Sequence, residues 1–198
     1  MEYSADDIVL VEFDESVRTR PSIYFDASVG SPVFATAVLE SVASHALHPA
    51  AVVASERHTL RSTVDVVGDR SFAITIHCPQ DLSAGPLLGY FDSLLTPRWM
   101  SLAATAAISE RTVVEVWSEG VGFRQDLAAL RPQAPPERYN APVGSGLRMA
   151  THLDSTHVGP NFAFPTSLQG LDLHGPYCDQ SFGVGAVVFR DLREVTYS

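Results

Sequence analysis

The stretch that decides the fold of this chain is ESVRTRPSIYFDASVGSPVFATAVLESVASHALHPAA, residues 15–51. Pro32 stands where helices favour proline, just inside a helix start, because the missing amide proton has no partner there anyway. Apolar residues then recur at helical spacing until Pro49 ends the pattern. The sequence therefore predicts one helix over about residues 33–48.

Two β-hairpins are predicted downstream of this helix. Apolar and polar residues alternate on both sides of Gly68-Asp69 and again on both sides of Glu119-Gly120. The remaining predicted elements are a helix over residues 97–108, short helices near 86–95 and 166–173, and strands over 146–153 and 184–190. This order predicts an α+β fold, a two-layer sandwich with helices on one face of a mostly antiparallel sheet.

The chain is expected to form a single domain over residues 1–198, since its length and apolar content fit one core. Residues 1–14 are interpreted as an N-terminal arm. Residues 129–145 contain several prolines and polar residues, which predicts an exposed loop.

Composition narrows the classes of function. The net charge is −10, with 13 basic residues that are all arginine, so we expect no nucleic-acid partner. The absence of lysine excludes Schiff-base chemistry and a phosphate-binding Walker lysine. The acidic N-terminus and the lack of a long apolar run predict no signal peptide, no membrane span and a cytoplasmic location.

The two cysteines, Cys78 and Cys178, have no spacing typical of metal ligands, so the sequence predicts no metal site and no cofactor. A free cysteine commonly packs as a small apolar side chain. We therefore expect both thiols to be buried.

The segments VRTRPSIYF, ISERTVVEVW and SGLRMATHLD, together with the 33–48 helix, resemble the ATPase domain of gyrase B and topoisomerase IV subunits. The wider superfamily, of GHKL type with the Bergerat fold, includes histidine kinases, heat-shock chaperones and mismatch-repair proteins. The resemblance runs weakly over about residues 15–195 and implies the two-layer α+β fold of that family.

In that family the long helix carries a glutamate that activates water and, four residues later, an asparagine that holds magnesium. The resemblance places Glu40 at the glutamate position, Ser44 at the asparagine position and His48 one further turn along. This spacing keeps all three on one helical face. A serine hydroxyl poorly replaces a rigid amide oxygen aimed at magnesium.

The family's adenine-binding loop has the pattern Asp-x-Gly-x-Gly. Here His77 stands at the aspartate position, and Asp81 stands where a glycine belongs. A neutral imidazole can accept one hydrogen bond but cannot reproduce the role of the carboxylate. The resemblance therefore implies that adenine recognition is lost.

The family's glycine-rich phosphate lid corresponds to residues 96–101, which contain no glycine. Pro97 removes an amide donor, and Arg98 can either bind an anion or lie on the surface. Leu147 stands where the family has an adenine-side threonine. Together these changes predict that ATP hydrolysis is lost.

The function predicted from this pattern is a gyrase B-like pseudo-ATPase domain whose former ATP pocket binds a small, largely apolar organic molecule in specialised metabolism. Glu40 is the candidate base, with His77 or His48 as the acid, for a cofactor-free isomerisation, cyclisation or elimination. Ser44, Asp81, Arg98 and Leu147 are the candidate ligand-binding residues.

Three alternatives stay open from the sequence. The histidines can merely plug a dead cavity while Glu40 pairs with an arginine. The chain can be a non-catalytic interaction protein, a dead paralogue that pairs with or mimics a gyrase-type subunit. It can also retain ATP binding. A homodimer is compatible with each of these.

Overall fold

The computed structural model describes residues 10–48, 60–174, 178 and 183–193. Within these residues, one layer is an eight-stranded sheet and the other is formed by helices. The helices are α1 (Phe13–Thr19), α2 (Ser22–Phe25), α3 (Phe34–Leu47), α4 (Met100–Ala107) and α5 (Ser155–Val158). The strands are β1 (Arg61–Gly68), β2 (Ser71–His77), β3 (Ser109–Ser118), β4 (Val121–Ala128), β5 (Arg131–Pro132), β6 (Glu137–Asn140), β7 (Ser145–Leu153) and β8 (Val187–Asp191).

The strands follow the order β5-β4-β3-β7-β2-β1-β8, and β6 pairs with β4. Every pairing is antiparallel except that of β1 with β8. Both predicted hairpins are present, with Val64 opposite Ile74 in the first and Val116 opposite Phe123 in the second. The α+β class predicted from the sequence is confirmed.

Alternation along the strands explains why one face of the sheet is covered. In β7, Leu147, Met149 and Leu153 are buried, whereas Arg148 between them is half-buried and pairs with Glu115 of β3. Successive strand residues point to opposite faces, so the apolar set packs against the helices. The polar set lies on the other face.

The predicted central helix is confirmed as α3, which packs on β1, α2 and α4. Val38, Leu39 and Val42 on its apolar side are fully buried. A chain of edge-to-face aromatic pairs joins its start to the sheet, with ring centroids 4.9–6.1 Å apart. These rings are Phe25, Phe34, Phe162, Phe164 and Phe72.

Two segments differ from the sequence-based expectation. Residues 129–145, expected to be a loop, contain the edge strands β5 and β6, because an edge strand tolerates prolines that a central strand cannot. Residues 86–95 form only one 3-10 turn, Tyr90–Asp92. Gly89 explains this, since a Cβ there would lie 2.3 Å from the Leu95 carbonyl oxygen and the chain doubles back on itself.

Of the other two predicted helices, one is present and one is absent. The 97–108 helix is present as a 3-10 turn, Pro97–Trp99, followed by α4. The short helix expected near 166–173 is replaced by irregular structure. Residues 1–9 of the predicted arm lie outside the described residues. Among the described helices, none is both long and apolar enough to span a bilayer.

Candidate functional site

The polar face of α3 carries three of the predicted site residues. Glu40 and Ser44 are half-buried, and His48, which ends the helix, is buried. A rise of 1.5 Å per residue separates Glu40 from His48 by about 12 Å along the axis. The carboxyl group of Glu40 and the imidazole of His48 therefore lie in different parts of the molecule.

Glu40 lies in an acidic environment. Burial raises the pKa of its carboxyl above the ordinary value of 4.5, and the negative charges of Asp172 and Asp26 raise it further. Asp26 follows α2, and Asp172 lies in the irregular segment that runs past α3. A raised pKa is a property expected of a general acid or base, so Glu40 stays a candidate for that role.

At the other end of this face, His48 meets His174 and Cys178. Nε2 of His48 lies 3.3 Å from Nδ1 of His174, and Sγ of Cys178 lies 3.5 Å from the same nitrogen. All three side chains are buried. Both cysteines are thus buried as predicted, but the partnership of Cys178 with two imidazoles was not predicted.

His77 ends β2 with its side chain exposed, and its backbone lies between Arg61 and Gly146. Among the described residues, no hydrogen bond joins His77 to Glu40. No described hydrogen bond therefore links the acid and base that the resemblance suggests, and their joint action stays a prediction.

A polar network that the sequence analysis missed lies on the neighbouring face of α3. Nδ1 of His45 and Oγ of Ser101 are 3.0 Å apart, and Oγ of Ser41 lies 3.0 Å from the same serine oxygen. Nε2 of His45 donates to the carbonyl oxygen of Arg98 at 2.8 Å, which leaves Nδ1 as the acceptor from Ser101. This network fixes the start of α4 against α3.

A small cleft brings Asp81 and Arg98 together. It has a volume of about 200 Å³ and lies between residues 79–82, which follow β2, and the turn at 94–99. Arg98 is exposed and its guanidinium lies 5.2 Å from the ring centre of Trp99, which is buried. The apolar side chains that line the cleft include Leu82, Leu94, Trp99 and Val116.

Side-chain contacts hold the loop after β2 in place. The backbone amide of Gln80 donates to Oγ of Ser145 at 2.7 Å, and Nε2 of Gln80 donates to Sγ of Cys78 at 3.1 Å. Burial raises the pKa of the Cys78 thiol. Leu147, a predicted ligand-binding residue, is fully buried in β7 opposite Ile76. The side chains of Cys78 and Leu147 therefore pack as apolar groups beneath this loop.

Changing Glu40 to glutamine is expected to raise the melting temperature at neutral pH by a few degrees. Because folding raises the pKa of Glu40, the unfolded chain loses this proton first, and the folded state loses stability as the pH rises above 4.5. Glutamine keeps the shape without the charge. Thermal unfolding followed by circular dichroism from pH 5 to pH 8 should show an advantage that grows with pH.

The matched control is Glu110→Gln, since this carboxylate is 70% exposed. It should change the melting temperature little at any pH. An advantage of the Glu40 variant that is equal at pH 5 and pH 8 would show that neither burial nor the carboxylates of Asp172 and Asp26 raise the pKa of Glu40.

Comparisons with known proteins agree with this architecture. No protein-family model and no curated protein matches the chain. Among solved structures, the crystal structure of the B subunit of DNA gyrase from Myxococcus xanthus matches with a TM-score of 0.54 at 20% sequence identity. The match covers 77% of this chain and 46% of that chain, so this chain spans about half the length of the gyrase subunit.

The protein therefore has a gyrase B-like α+β fold. The described residues form the mostly antiparallel sheet and the helical layer of this α+β fold. At this level of identity the likeness concerns the fold alone.

Proposed function

We propose that this protein is a gyrase B-like domain that does not hydrolyse ATP and that binds a small, largely apolar organic molecule. The site is the cleft between residues 79–82 and the turn at 94–99. The observation that carries the proposal is the chemistry of this cleft, whose lining is mainly apolar and includes one cation, Arg98, and one anion, Asp81.

The size of the cleft supports a ligand smaller than a nucleotide. Pockets for drug-sized molecules have volumes of about 300–1,000 Å³, and this cleft has about 200 Å³. Its apolar walls favour a flat or branched hydrocarbon body, since burial of apolar surface is the main driving force there. Arg98 favours a carboxylate or another anionic group on that body.

The turn at 94–99 also argues against a bound triphosphate. Phosphate groups bind best to free backbone amides at a helix start, and Pro97 has no amide proton. Trp99 is 3% exposed, so its ring occupies the interior beside this turn. A glycine-rich turn would leave that space to the ligand.

Binding is better supported than acid–base catalysis. The charges that act on Glu40 are those of Asp172 and Asp26, and none of these three residues lines the cleft. His77 is exposed at the end of β2. A catalytic role for Glu40, His48 or His77 therefore stays a prediction that awaits an identified substrate.

Isothermal titration calorimetry with two probes tests the proposal. The first is a non-hydrolysable ATP analogue with magnesium, which we expect not to bind. The second is 1-naphthoate, an aromatic body with one carboxylate, which we expect to bind. Magnesium-dependent nucleotide binding in the micromolar range would overturn the loss of ATP binding, and the absence of naphthoate binding would overturn the ligand class.

Arg98→Ala is expected to raise the dissociation constant for 1-naphthoate about tenfold, since a charge-assisted hydrogen bond contributes about 1.5 kcal/mol or more. The measurement is again calorimetric titration. The matched control is Arg111→Ala, because Arg111 is an exposed arginine on β3 that pairs with Asp126. Equal loss in both variants would mean that only the overall charge matters.

A further inference from the structure

The end of α3 and the segment near residue 174 bring two imidazoles and a thiol into one buried cluster. His48 is 8% exposed, His174 is 3% exposed and Cys178 is 7% exposed. One ligand atom from each residue lies within 4.8 Å of the others. His48 is separated from His174 by 126 positions in the sequence, so only the fold brings them together.

We propose that His48, His174 and Cys178 form a binding site for a zinc ion. Imidazole nitrogen and thiolate sulfur are the donors that Zn²⁺ prefers in proteins, whereas Mg²⁺ and Ca²⁺ take oxygen donors. The donor set thus excludes the hard ions and selects a borderline transition metal. This inference uses no residue of the proposed ligand cleft and is independent of that function.

The distances fit tetrahedral coordination. With Zn–N bonds of about 2.0–2.1 Å and a Zn–S bond of about 2.3 Å, tetrahedral angles give N···N edges of about 3.4 Å and N···S edges of about 3.6 Å. The separations are 3.3 Å between the two nitrogens and 3.5 Å between sulfur and the His174 nitrogen. Two of the three edges therefore match a tetrahedron. The third, between the ligand atoms of His48 and Cys178, lies within 4.8 Å, so it has to shorten by no more than about 1.2 Å to admit an ion.

The protonation states of the three ligands follow from their chemistry. Each neutral histidine keeps one proton on the ring nitrogen that does not bind, so His48 binds through Nε2 and His174 through Nδ1. Cys178 must bind as the thiolate, and its proton leaves to solvent. Binding of one Zn²⁺ therefore releases one proton and changes no oxidation state.

The surroundings favour a cation and stiffen one ligand. The carboxylate of Asp172 accepts a hydrogen bond from the backbone amide of His174 at 3.0 Å, which fixes the turn that carries this ligand. The same carboxylate places negative charge beside this face of α3. His174 and Cys178 are also separated by three residues, a spacing at which two ligands of one zinc ion commonly occur.

A zinc ion here would pin the end of α3 to the segment that carries His174 and Cys178. Three protein ligands in a tetrahedral site leave a fourth position, which water fills in many zinc proteins. The described residues supply these three ligands. The zinc-bound protein is therefore expected to unfold at a higher temperature than the metal-free protein.

Cobalt substitution tests the proposal directly. The full chain, stripped of metal with a chelator, is titrated with Co²⁺ and then with Zn²⁺. We expect one equivalent of Co²⁺ to give the intense visible bands of tetrahedral coordination and a thiolate-to-cobalt charge-transfer band, both of which Zn²⁺ removes. The proposal would be overturned if no tetrahedral spectrum appeared, or if Co²⁺ bound without producing the thiolate-to-cobalt charge-transfer band.

The chain offers a matched pair of cysteine variants. Cys178→Ser is expected to remove the charge-transfer band and to weaken zinc binding about 100-fold or more, since outer-shell changes alone cost up to that amount. Cys78→Ser removes the other buried thiol, which lies beside Ile76 and Gln80, and should leave the spectrum unchanged. Equal behaviour of the two variants would overturn the assignment.

A measurement on the unaltered protein tests the proposal even if a cysteine variant fails to fold. Alkylation by iodoacetamide, read by mass spectrometry, reports the reactivity of each cysteine with and without zinc. Zinc should slow the modification of Cys178 at least tenfold and leave that of Cys78 unchanged. Equal rates at Cys178 in both conditions would rule out its coordination.

Discussion

Replacing Trp99 with alanine is expected to lower the free energy of unfolding by about 3–5 kcal/mol, the range measured for large aromatic truncations in cores. Trp99 is 3% exposed and ends the 3-10 turn that leads into α4. Its removal takes away buried apolar surface and leaves a cavity beside the cleft, because the network that fixes α4 against α3 opposes collapse. Urea denaturation followed by far-ultraviolet circular dichroism measures the loss.

Trp99→Phe is the control for this prediction. Phenylalanine keeps an aromatic ring in the same space, so the loss should be markedly smaller than for alanine. A loss below about 1 kcal/mol in the alanine variant would place the tryptophan outside the core, where substitutions cost little. The ring of Trp99 would then not occupy the interior space beside the turn at 94–99.

The elements that the sequence predicted correctly are those with a strong local pattern. The α3 helix has a proline at its start, a proline after its end and buried residues at helical spacing. The two hairpins alternate apolar and polar residues around the short turns Asp69-Arg70 and Glu119-Gly120. In these segments the local preference and the tertiary packing favour the same structure.

The segment at 86–95 shows why local pattern alone fails. Its apolar residues suggested a helix, but Gly89 packs against the backbone of Leu95 and Thr96, and the chain turns back through Phe91 in a left-handed conformation. Long-range contact also decides this turn, since the side chain of Gln125 accepts a hydrogen bond from the amide of Leu94. Such contacts cannot be found in a short sequence window.

The helix that carries three of the candidate residues was predicted, whereas the roles of these residues stay a prediction. The i, i+4 spacing placed Glu40, Ser44 and His48 on one face of α3 without any tertiary information. What this face meets depends on the positions of residues 171–174 and of Cys178, for which the sequence has no periodic signal. The three-residue interval between His174 and Cys178 was the one local sign of a shared site.

Replacing Asp14 with alanine is expected to lower the free energy of unfolding by about 2–4 kcal/mol, because removing one partner of a buried ion pair leaves the other charge uncompensated. The Asp14 carboxylate is 3% exposed and binds the guanidinium groups of Arg18 and Arg131. Arg131 also pairs with Glu12 and covers the ring of Phe91 at 3.7 Å. Through its ion pair with Arg131, Asp14 therefore links α1 to β5 and to the turn at 90–92.

The lower end of this range reflects the arginines, which are 30% and 46% exposed and can recover water when the carboxylate is lost. The matched control is Glu15→Ala, because Glu15 is the next residue of α1 and is exposed. Its substitution should cost less than about 0.5 kcal/mol. Urea denaturation of both variants measures the difference. When it is repeated in 1 M salt, most of the destabilisation by Asp14→Ala should remain, because salt screens a buried carboxylate far less than a surface one. If Asp14→Ala and Glu15→Ala destabilise the protein equally, the loss arises from the first turn of α1 and not from the buried charge.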